Sequence, residues 1–277
     1  MNAPLPLDSP GKVTALVLAG RRGGEDPLAR AAGVSHKCLI PVGGQPMLVR
    51  VLTALAGCRA IGLIGVSIDD PDAVSAAIAA MSGDTAARVR VFRSADSPSA
   101  SVSAGIDELD QPPPLLVTTG DHPLLTPELV ELFIAEAALS GADLAVGMAP
   151  AASVLAAYPE ARRTWLRFRD GRYTGCNLFA FLTADSRQVL DFWRRIESER
   201  KRPLRIVRAF GVTSLFAYLS GRLTLAGALR RASHRVGADV RAVVLRQADA
   251  AVDVDKEEDL ALVEQILVDR RVKRERT

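Results

Sequence analysis

The chain has 277 residues, of which 48% are hydrophobic and 24% charged, and its formal net charge is +3. That balance excludes a disordered chain and suits one sizeable α/β domain. So small an excess of positive charge does not argue for nucleic-acid binding, and it fits a protein that handles phosphates.

Cys38, Cys58 and Cys176 are odd in number and scattered, with no CxxC spacing. They suggest neither a disulfide framework nor a structural zinc site, and the expected compartment is the reducing cytoplasm. Residues 1–11 contain prolines but no apolar core of a secretion signal. No uncharged stretch approaches the ~18 apolar residues of a membrane span.

In chain order, the aliphatic run Val13 to Ala19 reads as a strand buried on both faces. It opens into Gly20-Arg21-Arg22-Gly23-Gly24-Glu25-Asp26-Pro27. Glycines there let backbone amides approach an anion, and Arg21, Arg22 and, at the far end, Lys37 add positive charge. The stretch therefore reads as a polyphosphate-binding loop, although it matches neither the Walker pattern nor GxGxxG. A helix follows from Pro46 to Leu55, then a strand from Ile61 to Ser67 and a helix from Asp69-Asp70-Pro71 to about Met81. Further strands fall at 88–92, 115–119 and 143–148, with helices at 97–109 and 127–139 between them. This alternation predicts a three-layer, Rossmann-like, mainly parallel α/β sheet.

After Met148 the regularity breaks. An Asp170-Gly171 turn suggests a hairpin within 162–172, and Cys176 to Phe181 reads as another strand. Residues 185–233 are helical and arginine-rich, strands return at 240–245 and 250–254, and a last helix runs from Glu257 to about Leu267. The tail, 269–277, is charged and is expected to fray. The expected organisation is one compact domain. Its nucleotide-binding half is 1–150, and its acceptor-binding half, 151–268, carries a helical insertion at about 185–235 before returning to the sheet.

Three further blocks carry chemistry. Gly120-Asp121-His122-Pro123-Leu124 directly follows a buried strand, so Asp121 is expected to face the crevice at the strand ends and to hold Mg²⁺ or Mn²⁺. Its alternative role, a helix cap, is already supplied by Thr126 and Pro127, and His122 is read as structural. Serines 97, 99, 101 and 103 open a helix, where capping explains them nearly as well as ligand contact. In Val252-Asp253-Val254-Asp255, strand alternation would turn both carboxylates to one side. Asp253 is assigned as the second metal ligand and Asp255 as the cap of the last helix.

Leu18-Ala19-Gly20, Lys37-x-Leu39-x-Pro41, Gly44 with Pro46-Met47-Leu48, Gly120-Asp121 and the Asp253 block, in that order, resemble the nucleotidyltransferases of the MobA-like family. The loop departs from the family pattern in being longer and more acidic, with Glu25 and Asp26. The resemblance implies a fold of the nucleotide-diphospho-sugar transferase type with a helical C-terminal elaboration. It also implies transfer of an NMP from an NTP, CTP or GTP being favoured, to a small phosphorylated acceptor with release of pyrophosphate. Leu18, Ala19, Gly20, Gly23, Gly24, Ser101 and Gly120 would then contact the nucleotide. Lys37, Arg21 and Arg22 would offset triphosphate charge, Asp121 and Asp253 would hold the metal, and Arg163, Arg167 and Asn177 would meet the acceptor.

Two other readings compete. A non-catalytic nucleotide-binding regulator would be favoured by loss of Lys37 or Asp121, and both are present. A glycosyltransferase of related architecture should carry a DxD after a central strand, whereas Asp253-Val254-Asp255 lies beside the C-terminal helix. Lastly, 201–231 is basic and interleaved with apolar residues. Peripheral membrane contact is set there against a pair of core-packed helices, and the packed pair is the preferred reading.

Overall fold

The computed structural model describes residues 13–21, 24, 26–198 and 212–275. Arg22 and Gly23 of the predicted loop, and 201–211 of the basic stretch, lie outside the described residues.

Strand β1 (Val13–Leu18) is central. Short helix α1 (Pro27–Ala31), a 3₁₀ turn at Lys37–Leu39 and the two-residue strands β2 (Pro41–Val42) and β3 (Gln45–Pro46) follow it. Next come α2 (Met47–Gly57), β4 (Ile61–Ile68), α3 (Asp72–Ala79), α4 (Gly83–Ala87) and β5 (Val89–Arg93). The nucleotide half closes with α5 (Pro98–Leu109), β6 (Leu115–Thr119), α6 (Pro127–Ser140) and β7 (Leu144–Pro150). Thr126 caps α6 by accepting from the Leu129 N–H, and Pro127 fills its first turn, as its missing N–H allows.

Beyond these lie α7 (Ala151–Ala157), β8 (Leu166–Phe168), β9 (Gly171–Phe181) and α8 (Ser186–Ser198). The chain ends with α9 (Val212–Leu219), α10 (Leu225–Val236), β10 (Val240–Val244) and α11 (Glu257–Glu275).

One sheet of eight strands runs in the order β10-β7-β9-β6-β1-β4-β5, with β8 on β9. Pairings β1–β4, β1–β6, β4–β5 and β7–β10 are parallel, while β9 enters antiparallel between β6 and β7. The sheet is therefore mostly parallel, as the alternation predicted. The expected hairpin forms between β8 and β9, but its second arm and the strand expected at 176–181 are one continuous strand.

Strand alternation builds the three layers. Ala15 and Val17 face the side covered by Leu52 and Leu55 of α2 and Phe133 of α6. Leu16 faces the opposite side, against Val102 and Leu109 of α5 and Leu190 of α8. Phe133 is fully buried, and truncating such a side chain to alanine typically costs about 3–5 kcal/mol. A third apolar cluster joins Ile40, Val42 and Met47 to Val263 and Ile266 of α11, so the last helix braces the segment that carries Lys37.

Two expectations about the C-terminal region are corrected. Residues 250–254 form no strand: a 3₁₀ turn occupies Ala248–Ala251, and the Val254 N–H donates to the Asp121 carbonyl at 3.0 Å. Val252 and Val254 are buried under α11, which explains an alternation that resembled a strand. The tail does not fray at 269 either; α11 continues to Glu275. Arg270 pairs with Asp249, and Arg271 with Glu275 one helical turn on. No helix among the described residues is long and apolar enough to cross a membrane.

Candidate active site

The carboxyl ends of β1, β4 and β6 lie side by side, and the segments leaving them wall a cavity of about 1100 Å³. Leu18, Ala19, Gly20, Arg21 and Gly24 form one side. At position 20 a Cβ would lie 2.8 Å from Ser94 Oγ and 3.2 Å from Ser94 Cβ, so any larger residue there would make Ser94 shift. Gly24 has φ +95°, a backbone that a side chain would strain. Gly120, Asp121, Lys37, Ser101, Asn177 and Asp253 line the same space. The structure thus gathers every predicted site residue within the described chain except Arg163 and Arg167.

Lys37 sits between two carboxylates, 2.6 Å from Asp121 Oδ2 and 2.7 Å from Asp255 Oδ1. Burial opposes its charge, yet Asp121 and Asp255 hold its pKa well above the ordinary lysine value. Asp121 keeps its other oxygen, Oδ1, buried and without a hydrogen-bond partner among the described residues.

Asp253 is gripped from the far side. Arg163 reaches its Oδ1 and, at 2.7 Å, its carbonyl, while Asn177 Nδ2 donates to Oδ2 at 2.6 Å. Burial raises the Asp253 pKa; Arg163 opposes that rise, and Asp121 and Asp255 add to it by like-charge repulsion. Asn177 has φ +51°, an uncommon left-handed backbone for a residue within a strand. It lies where the β7–β9 register shifts, and this local kink aims its amide at Asp253.

These positions change several expectations. Arg163, with only 8% of its side chain exposed, does not line the cavity and is committed to Asp253 and, at 3.7 Å, Asp259. Arg167 lies on the exposed hairpin, away from the cavity lining, where its backbone N–H donates to the Tyr218 hydroxyl. Asp255 reaches Lys37, and the backbone at the start of α11 is satisfied by Asp259 Oδ2, which accepts from the N–H groups of Asp255 and Lys256. Ser101 accepts from the Ala95 N–H at 3.0 Å and donates to the Ala95 carbonyl, so its hydroxyl shapes the turn before α5. His122 is fully buried, and burial lowers its pKa. Its Nε2 must donate to the Asp249 carbonyl, which fixes a neutral tautomer and a structural role.

Two groups escaped the sequence reading. Asp69, at the end of β4, receives the Arg21 N–H at 2.9 Å and Arg21 Nε at 2.8 Å, and so anchors the glycine loop. Its signal was available: a carboxylate just past a buried strand, much as Asp121 follows β6 after one glycine. From α8 come Trp193, Arg194 and Glu197, which line the cavity beside the start of α5. An aromatic and a carboxylate four residues apart on an arginine-rich helix was the only hint of these.

The chain matches the MobA-like NTP transferase domain over residues 15–172, more than half its length, and it belongs to that family of nucleotidyltransferases. A hypothetical transferase from Thermus thermophilus is 31% identical, with a TM-score of 0.76 over 90% of this chain and 99% of that one. The 2-C-methyl-D-erythritol 4-phosphate cytidylyltransferase of Frankia casuarinae is 32% identical over 151 residues, 54% of this chain and 53% of the relative. The match thus spans about half of that relative's length.

Two more distant structures share the fold. The 4-diphosphocytidyl-2C-methyl-D-erythritol synthase of Anaerococcus prevotii has a TM-score of 0.57 at 15% identity, covering 93% of this chain and 96% of its own. A CMP:2-keto-3-deoxy-manno-octonic acid synthetase complexed with CTP has a TM-score of 0.58 at 15% identity, covering 94% and 100%.

Proposed function

We propose that this protein transfers a cytidylyl group from CTP to a small phosphorylated acceptor and releases pyrophosphate. The observation that carries this reading is the gathering of the glycine loop, Lys37, Asp121, Asp253 and the α5 serines around one cavity. The choice of CTP over GTP leans on the names of the relatives. The first 150 residues would supply most of the nucleotide contacts, and 151–268 the walls near the acceptor.

An oxygen of the acceptor phosphate attacks the α-phosphorus in line. The Pα–O bond to the β-phosphate breaks, and its electron pair leaves with pyrophosphate. The nucleophile is already an anion, so the protein's task is to position and to neutralise. Lys37, already charged, exchanges a carboxylate for a phosphate oxygen, and Arg21 lies at the loop that would cradle the chain of phosphates. Asn177 and Arg163 keep Asp253 aimed into the cavity.

A divalent cation fits the donor set. Asp121 has one bare buried oxygen, and Asp253 is crowded by Asp121 and Asp255, a repulsion that a cation would relieve. No cluster of three or more metal-ligating side chains occurs among the described residues. Two carboxylates would be enough for Mg²⁺, which takes much of its octahedron from water and substrate phosphates. When bound, it would neutralise triphosphate charge between Asp121 and Asp253.

Incubation with each NTP and Mg²⁺ against a panel of phosphorylated alcohols and sugars, with pyrophosphate release as readout, tests the reading. Release that requires CTP and one acceptor class is expected. Absence of release with every pair would remove it.

A further inference from the structure

Helix α8 closes one end of the cavity. Glu197 Oε2 accepts from the Ser99 N–H at 3.3 Å and from the Ser99 hydroxyl, which ties α8 to the first turn of α5. Trp193 lies one helical turn before Glu197 on the same face, lines the cavity and packs on Phe179 of β9 with ring centroids 6.1 Å apart.

The other end is where Lys37, Asp121, Asp253 and Asp255 stand. Lys37, Arg21 and the glycine-loop amides draw the triphosphate to their side of the cavity, so the uncharged part of the nucleotide, its base, is left to the α8 side, which Trp193, Arg194 and Glu197 line. An ionised carboxylate only accepts hydrogen bonds, at about four lone-pair sites, and Ser99 uses two of them. The remaining capacity suits a base that presents an exocyclic amine and opposes one that presents a carbonyl oxygen there. An indole one turn away offers an apolar face on which a base can stack.

We propose that Glu197 and Trp193 read the nucleobase: the carboxylate accepts from the cytosine 4-amino group and rejects O4 of uracil, while the indole supports the ring. The proposal rests on the nucleotide-transfer reading of the cavity. It goes further in naming the element that selects the base. A purely structural clip between α8 and α5 would weaken all nucleotides alike, and this separates the two roles.

Equilibrium dialysis of the full chain with labelled CTP and UTP, in Mg²⁺ buffer, tests it. CTP is expected to bind about tenfold or more tighter than UTP, the size of a charge-assisted hydrogen bond set against a mispaired acceptor. In Glu197→Gln the amide can turn to donate to O4, so the CTP:UTP ratio should fall towards one while circular dichroism shows an unchanged fold. Ser99→Ala loosens the clip, leaving only the backbone N–H to Glu197, and should lower both affinities together with the ratio kept. The chain has two tryptophans, so a Trp165→Phe background isolates Trp193, whose fluorescence should quench on CTP binding. Equal binding of CTP and UTP by the wild type, or an unchanged ratio in folded Glu197→Gln, overturns the role of Glu197; bound CTP without quenching overturns that of Trp193. Selective CTP binding without pyrophosphate release under any acceptor would sink the transfer reaction alone. Pyrophosphate release without base selectivity would sink this inference alone.

Discussion

At one end of the cavity Lys37 lies between Asp121 and Asp255, and Asp253 lies between Arg163 and Asn177. At the other, Ser97 caps α5, Ser101 holds both backbone groups of Ala95, and Ser99 ties down α8. The first end is built from charges that already have partners, so an incoming triphosphate must compete for Lys37 with two carboxylates. Binding there is an exchange of ion pairs that frees Asp121 and Asp255 from Lys37. The second end is built mostly from hydroxyls fixed to backbone, so shape and hydrogen-bond pattern decide what enters. Substitutions at the charged end should change turnover, and those at the hydroxyl end should change selectivity.

The largest expected break in that division is Asp121→Asn. It keeps the shape and removes the charge beside the bare Oδ1, and pyrophosphate release should fall by about 10³-fold, a loss of several kcal/mol of transition-state stabilisation. Near-normal release by a folded variant would remove Asp121 from the charged end's chemistry.

Arg163→Met tests whether the grip on Asp253 is structural. Deleting one partner of a buried pair leaves the other charge uncompensated, at about 3–5 kcal/mol. Urea unfolding should show a loss at the lower end of that range, because Asp253 keeps Asn177 and is 22% exposed. A variant as stable as the wild type would mean that Arg163 is free to serve a ligand.

Lys37→Ala should lower kcat/KM for the NTP by about 10²-fold, since a cation at the leaving pyrophosphate acts most as charge develops there. Wild-type kcat/KM would leave Lys37 as a mere counter-ion to Asp121 and Asp255.

The two ends also differ in how far the amino-acid sequence reveals them. Lys37, Asp121 and the glycine loop were legible because each follows a buried strand or sits in an ordered block whose residue types have no packing reason. The parallel sheet was legible from alternation of apolar runs with amphipathic ones. The insertion of β9 between β6 and β7 was not, because strand order depends on long-range pairing that local patterns do not encode. The Arg163–Asp253 pair joins residues 90 positions apart, so the local sequence gives no sign that Arg163, expected to meet the acceptor, is committed to Asp253. Val252-Asp253-Val254 mimicked a strand since burial under α11 imposes the same alternation. Glu197 was hidden on an arginine-rich helix, where one carboxylate carries no local signal.

The smallest expected effect concerns Asp69, which anchors Arg21 at the rim of the charged end. Burial would raise its pKa, but the hydrogen bonds from the Arg21 backbone and guanidinium outweigh that and bring it from 3.8 to about 2. A carboxyl depressed in the folded state contributes stability above its unfolded value. That contribution is lost as pH falls through the window from about 4 to about 2. Asp69→Asn should therefore be slightly less stable than the wild type at pH 6, and the gap should close as both are titrated towards pH 2. Its size is modest because the Asp69 side chain is 30% exposed and that of Arg21 39%, and solvent screens such a pair. The measurement is Tm against pH for both proteins, whose difference cancels the other carboxylates. Freed from Asp69, Arg21 should also hold the glycine loop less firmly and raise KM for the NTP a few-fold with kcat little changed. Parallel Tm curves across the acid range would show that Arg21 and Asp69 are not paired in solution, and the loop would then owe its shape to Gly20 and its contact with Ser94.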